Sequence, residues 1–215
     1  MAIRPSTFLV FGATGGTGRH FISQALEEGH TVRALVRNPA KLSTRHANLQ
    51  VHQGSITDIS NLDDLVQGSN YVVSMLGDAD MQRVAKVNTA FVEKLVPAMR
   101  RHGVKRFLYQ AGGLSKPYNE SLPPFLWVLR YTVARTFAGQ HADNEAVMEY
   151  LGKEAQDIEW IVHRAGIGSD GASQGTLERS STRYSVATHR DCAAYNMRVI
   201  ADPTAFHTCH TSYYA

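Results

Sequence analysis

Three glycines spaced G-x-x-G-x-x-G, Gly12, Gly15 and Gly18, with a fourth at Gly16, keep side chains off the stretch "FGATGGTG". They follow the apolar run "TFLVF" and open the amphipathic stretch "TGRHFISQALEEG". A strand that turns through glycines into a helix presents free N–H groups and the positive end of a helix dipole, the chemistry that holds a diphosphate. Gly12 permits the tight turn, Gly15 lets phosphates approach the backbone, and Gly18 lets helix and strand pack closely. Thr14 and Thr17 add hydroxyls to the loop, and Arg19 begins the helix beside it. Gly12, Thr14, Gly15, Gly16, Thr17 and Gly18 therefore read as a dinucleotide-binding loop.

The next strand, in "HTVRALVRNPAKL", ends in Arg37, followed by Asn38 and Lys41, where a carboxylate for a ribose 2′-hydroxyl is the usual feature. An arginine there can stack on adenine and fork onto a 2′-phosphate, so the expected cofactor is NADPH/NADP, with Arg37 and Lys41 on the phosphate. Arg33 shares that face only if the strand stays regular. Strand ends also place Ser55 and Ile56, after Gly54, at the adenine and Leu76 and Gly77 against the middle of the cofactor.

For proton chemistry, His141 and Glu145 stand at i, i+4 on one helix face in "GQHADNEAVMEY", and a histidine can deliver a proton near neutral pH. Tyr118 is a second candidate donor, or a ring on which a substrate stacks. His163, His207 and His210 have apolar neighbours and no converging carboxylates, so they read as structural and no metal site is expected.

These residues need elements to hold them. Short runs rich in Val, Ile and Tyr predict strands near 6–11, 31–36, 48–53, 70–76, 105–110 and 158–163, and helical spacing predicts helices near 16–28, 58–67, 81–102 and 124–152. Asp58 or Ser60 is the expected cap of the second helix, Gly103 the stop of the third, and Pro97 a kink or early boundary within it. Such alternation predicts an α/β fold, a doubly wound parallel sheet of Rossmann type, formed by residues 1–215 as one unit. The glycine- and proline-rich loop 111–125 and the small elements of 164–215, including a strand near "RYSVA", a helix over "RDCAAYNMRVIAD" and a strand over "FHTCHTSYY", are expected to enclose a substrate pocket.

The 215 residues carry 43% apolar and 19% charged residues and a formal charge of +3, the profile of a globular protein without a nucleic-acid-binding basic run. Cys192 and Cys209 form no CxxC pair, the N-terminus lacks a signal-peptide core, and "PPFLWVLRYTVARTF" is the nearest approach to a membrane span, interrupted by Arg130 and Arg135. A cytoplasmic protein acting on a small molecule, without nucleic-acid or membrane partners, as a monomer or weak homodimer, is the expectation.

"FGATGGTG", "VRALVRNPAKL", "VHQGSITD", "YVVSMLG", "RRHGVKRFLYQAGG" and "HRDCAAYNMRVI…HTSYY" together resemble the atypical short-chain dehydrogenase/reductase superfamily. Within it they are most similar to the small NAD(P)H-binding group that includes biliverdin reductase B, or flavin reductase. The resemblance implies a Rossmann fold, NADPH with its nicotinamide beside Ala111 and Gly112, and hydride transfer to a flat conjugated acceptor such as a flavin, tetrapyrrole or quinone. Two departures stand out. Gly112 occupies the place of the group's serine or threonine, leaving Ser115 as the nearest hydroxyl, and Ala165 replaces the proline of "RPG". By the same resemblance, His141 takes the place of a lysine near the nicotinamide ribose. Tyr131 and Arg135 echo the superfamily's Tyr-x-x-x-Lys pair, but their apolar surroundings favour packing. The alternatives are a non-redox reaction on the same scaffold (isomerisation, cyclisation or dehydration) and an NADP-sensing regulator of NmrA-like type.

Overall fold

A computed structural model describes residues 4–132 and 134–215. Its strands are β1 (Thr7–Phe11), β2 (Thr31–Val36), β3 (Leu49–Gln53), β4 (Tyr71–Ser74), β5 (Arg106–Gly112), β6 (Glu159–Ser169), β7 (Leu177–Ser180), β8 (Val186–Thr188) and β9 (Thr208–Tyr214). The helices are α1 (Gly16–Glu27), α2 (Leu62–Val66), α3 (Ala79–Val84), α4 (Val87–Arg101), α5 (Pro124–Tyr131), α6 (Ala138–Glu154) and α7 (His189–Val199). The sheet runs β3-β2-β1-β4-β5-β6-β9-β7, with β8 pairing β6. It is a Rossmann-type, mostly parallel sheet with helices on both faces.

The central strands read as unbroken apolar runs because both of their faces are covered. Phe8 and Val10 of β1 join the core under α1 and α7. Leu9 and Phe11 point the other way, into the core under α2, α4 and α6. Between β1 and β4 the strand order reverses, and a crevice opens there beyond their carboxyl ends. The loops that follow β1, β4 and β5 border it.

Several boundaries differ from the sequence expectation, each for a local reason. The second helix is only Leu62–Val66, because Asp58 pairs back to Ser55 in an isolated bridge instead of capping. The third is two helices broken at Ala85 and Lys86, and α4 then runs through Pro97. Its own cap residue, Lys86, makes no side-chain cap; the buried carboxylate of Asp143 on α6 accepts from the N–H groups of Asn88 and Thr89 at 2.9 and 3.0 Å. Gly103 ends α4 in the left-handed region, as the sequence predicts. The long helix expected at 124–152 is α5, a short 3-10 turn (Arg135–Phe137) and α6. The sheet is not wholly parallel either: β7, which the sequence leaves unassigned, runs antiparallel to β9. No helix among the described residues is long and apolar enough to cross a membrane.

Candidate cofactor site

The turn after β1 is built by exclusion. Gly12 adopts φ +85°, and a Cβ there would lie 2.4 Å from the Met75 carbonyl oxygen. A Cβ on Gly18 would lie 2.1 Å from the Gly12 carbonyl oxygen. These two glycines are required by the protein's own backbone, which seats α1 against the ends of β1 and β4. Gly15 is different. Its nearest neighbour is the Gly12 oxygen at 3.2 Å, and its outer side faces an open cavity. It caps α1 without a side-chain bond, no acidic residue lies in the first turn, and the N–H groups of Gly16, Thr17 and Gly18 have no partner among the described residues. That is an electropositive cradle with free donors.

Two pockets meet at this cradle. The first lies between the ends of β1, β2 and β3, lined by Gly12, Thr14, Arg37, Ser55, Ile56 and Leu76, and also by Asp78, Met81 and Asn88. Arg37 reaches across it to Asp78, with Nη1 and Oδ2 3.1 Å apart. The other Asp78 oxygen caps α3 by accepting from the Met81 N–H at 3.1 Å. The second pocket, about 330 Å³, is lined by Gly15, Gly16, Thr17, Leu76, Gly77, Ala111 and Gly112, together with Gln110, Gln140, Asn144 and His189. Leu76 lines both, so the two pockets adjoin, with Arg37 on the far side of one and Gly112 on the far side of the other. A nicotinamide dinucleotide fits these features: a cradle for its diphosphate flanked by one pocket at each end.

The remaining sequence candidates lie elsewhere. Gly18 lines neither pocket, because its role is packing. Lys41 sits exposed on the 3-10 turn Pro39–Lys41 and lines neither. Arg33 is tied to the α2 end through the Leu65 and Gln67 carbonyls. Ser115 is fully buried behind Gly112 and accepts from the Asn144 amide at 3.2 Å. Tyr118 packs over Gly152, away from the groove. His141 is buried outside the second pocket, and burial, then the Arg130 charge, lowers its pKa. Its expected partner Glu145 is instead held by the Arg130 guanidinium and the Lys116 N–H. Tyr131 is exposed, its ring 4.7 Å from that of Trp127, and Arg135 is exposed as well.

The structure adds residues the sequence reading missed. The His189 ring lies on Gly16: a Cβ there would be 2.5 Å from its Cδ2, Cε1 and Nε2. Its Nδ1 is 3.0 Å from the Thr17 hydroxyl. Behind Thr17 runs a buried polar chain. Gln110 Nε2 donates to the Thr17 oxygen at 3.4 Å, and Asn196 Nδ2 donates to Gln110 Oε1 at 2.7 Å. His163 Nδ1 is 2.7 Å from Asn196 Oδ1, and its Nε2 is 2.9 Å from the Ser212 hydroxyl. With Asn196 as donor to Gln110, its oxygen must accept, so His163 is the neutral Nδ1–H tautomer and Ser212 donates to Nε2. Gly113 is explained too: a Cβ on it would lie 2.5 Å from the Tyr184 ring. At Gly112 the nearest atoms to a Cβ are 3.6 and 3.8 Å away, ordinary contact, so packing alone does not demand that glycine.

Burial pushes the His163 pKa down to about 4. An unfolded histidine titrates near ~6.5, so between these values the unfolded chain takes up a proton that the folded chain refuses. Stability is therefore full above about pH 6.5 and falls as the pH drops towards 4. The loss expected from His163 alone is about 3 kcal/mol over that window, at ~1.4 kcal/mol per pKa unit. His210, lowered by burial and then by His163, acts in the same direction. Urea unfolding at about pH 7 and about pH 4.5 measures this. His163→Phe is expected to flatten the decline, and a wild-type stability unchanged between the two values contradicts the buried neutral state.

Comparison with known proteins agrees with this geometry. A family model described as NAD(P)H-binding matches residues 12–203. The chain is 34% identical over 112 residues to a 3 beta-hydroxysteroid dehydrogenase/Delta 5→4-isomerase of Mycobacterium tuberculosis, covering 47% of this chain and 30% of that protein, so it spans about a third of that relative's length. It is 28% identical to Oxidoreductase AgnL4 of Paecilomyces divaricatus over 92% of this chain and 80% of that one. Among solved structures, ChuY, an anaerobilin reductase from Escherichia coli O157:H7, superposes with a TM-score of 0.72 at 16% identity, covering 96% of each chain, a likeness of fold. With a family model spanning nearly the whole chain and pockets that fit its ligand, this protein belongs to the NAD(P)H-binding family, and its cofactor is a nicotinamide dinucleotide.

Proposed function

We propose that the protein is an NADPH-dependent reductase of a small, flat, conjugated acceptor, of flavin, tetrapyrrole or quinone type. The observation that carries this reading is the groove itself, with a guanidinium at one end and a glycine-walled pocket at the other. When bound, the reduced nicotinamide supplies the hydride, the hard step of the chemistry. The free N–H groups of Gly16 and Thr17 bind the diphosphate. Arg37 faces the 2′-phosphate; in its pair with Asp78 the guanidinium is exposed and the carboxylate half-buried, and pairs open to solvent are worth little and yield to a dianion. Leu76 and Gly77 support the middle of the cofactor, while Ala111 and Gly112 border the reacting end.

Loop 111–125, through Ala111 and Gly112, and segment 164–215, through Ala165, Ile167 and His189, close the acceptor's side of the site in this reading. Ala111 and Gly112 bring no acid to that end, and Ser115 is committed to Asn144. A conjugated acceptor fits such a site, because it accepts hydride into a delocalised system and can be protonated by water. Reductase and oxidoreductase names among the relatives point the same way.

The test is to mix the purified protein with NADPH and a panel of FMN, riboflavin, biliverdin and quinones, following loss of the reduced-nicotinamide absorbance. Acceptor-dependent loss with at least one member is expected. Tight NADPH binding without oxidation by any of them would overturn the reductase reading in favour of a sensor or a non-redox enzyme.

A further inference from the structure

We propose that His189 is a cofactor-binding residue that couples dinucleotide affinity to pH, by donating a hydrogen bond to the diphosphate and becoming protonated when the dinucleotide binds. This rests on the reading that the groove holds a nicotinamide dinucleotide. The ring occupies a defined seat: it lies on Gly16, at the first residue of α1, and lines the pocket that the cradle opens into. Gly16 falls outside the G-x-x-G-x-x-G spacing, and the ring accounts for it, since any Cβ there would strike the imidazole.

The ring's orientation is set from behind. Thr17 Oγ1 accepts from Gln110 and lies 3.0 Å from His189 Nδ1; in the tautomer in which the Thr17 hydroxyl donates to Nδ1, Nε2 carries the hydrogen beside the cradle. A neutral imidazole held this way offers one N–H to a phosphate oxygen. A protonated one offers the same N–H with a positive charge, while Nδ1–H donates to Thr17.

The charges around the ring hold it neutral in the free protein. Burial, then Arg19, lowers its pKa. On α1, Arg19 and His20 face it, with both bound to Asp170 beyond β6; on α7, Arg190 is its neighbour. The positive end of α1 acts in the same sense. A diphosphate brings two negative charges against the ring and reverses the balance, so binding takes up a proton around neutral pH. Affinity then falls as the pH rises.

The test compares NADPH dissociation constants between about pH 5.5 and about pH 8 for the wild type and His189→Gln, by fluorescence titration. Taking the ratio between the two proteins cancels the titration of the cofactor's own 2′-phosphate. The wild type is expected to lose about tenfold more affinity over this range than the variant, the loss that a one-unit rise in one group's pKa gives. As an independent reading, the His189 imidazole nitrogens followed by NMR should titrate lower in the free protein than in the NADPH complex. Parallel pH profiles in the two proteins, or an imidazole pKa unmoved by NADPH, overturn the role of His189 and leave the groove intact. Failure of the folded wild type to bind NADPH at any pH overturns both.

Discussion

Gly12→Ala is expected to unfold or severely weaken the protein, with a loss of about 4 kcal/mol. An L-residue forced into the left-handed region costs roughly 1–2 kcal/mol. Driving a methyl group into packed atoms typically costs about 1–3 kcal/mol more. Both apply here, because Gly12 has φ +85° and its Cβ would meet the Met75 carbonyl at 2.4 Å. Neither atom is a side chain that can swing away: Met75 continues β4, and Gly12 continues β1. Relief would require the two central strands to part at the point where the crevice forms. For a chain of this size the lost stability corresponds to a fall in Tm of roughly 10 °C. Gly15→Ala is the informative control, since the nearest protein atom to its Cβ is 3.2 Å away. It should leave the Tm within a few degrees of wild type (on the order of 1 kcal/mol) while weakening dinucleotide binding. Thermal unfolding and cofactor titration of both variants check the pair. Equal Tm values for Gly12→Ala and wild type contradict the strand-end geometry.

Arg37→Glu is the second large effect and concerns specificity. Hydrogen bonds to charged groups contribute about 1.5–3 kcal/mol. Reversing the charge adds repulsion, so NADPH binding should weaken by about 3 kcal/mol, roughly a hundredfold. NADH, which has no 2′-phosphate, should bind the variant about as well as it binds wild type. Asp78 tempers the wild-type preference, since its carboxylate lies 3.1 Å from the guanidinium and beside the same pocket. Asp78→Asn should therefore favour NADPH slightly, at some loss to the start of α3, which Asp78 caps. An equal loss of NADPH and NADH affinity in Arg37→Glu contradicts the 2′-phosphate role.

What the sequence made legible follows from the range of the interactions involved. The first six strands and the glycine loop are set by local patterning and by a turn whose chemistry lies within seven residues. The strands start where the periodicity puts them, and β6 runs on to Ser169, past the expected end at 163. The catalytic candidates depend instead on helix phase. Read as one helix over 124–152, the segment directs attention to His141 and Glu145. Within α6, Gln140 and Asn144 line the pocket, while His141 is buried beside Arg130 and Ala134 of the segment that precedes the helix. Apolar residues on both sides hid the break between α5 and α6, because α5 exposes Phe125, Trp127 and Tyr131. His189 was invisible for another reason: it meets Thr17 across 172 residues, and only packing brings them together. Gly16 was the one local sign, an additional glycine with no partner in the motif. Gly113 had the same kind of hidden cause in Tyr184.

The most direct measurement of the central claim is a calorimetric titration of the folded wild-type chain with NADPH and, separately, with NADH. Saturable binding of one NADPH per chain, tighter than NADH by tenfold or more (about 1.4 kcal/mol), is the predicted result. Absence of binding by either nucleotide to the folded chain contradicts the groove as a dinucleotide site. Tighter binding of NADH contradicts the part assigned to Arg37.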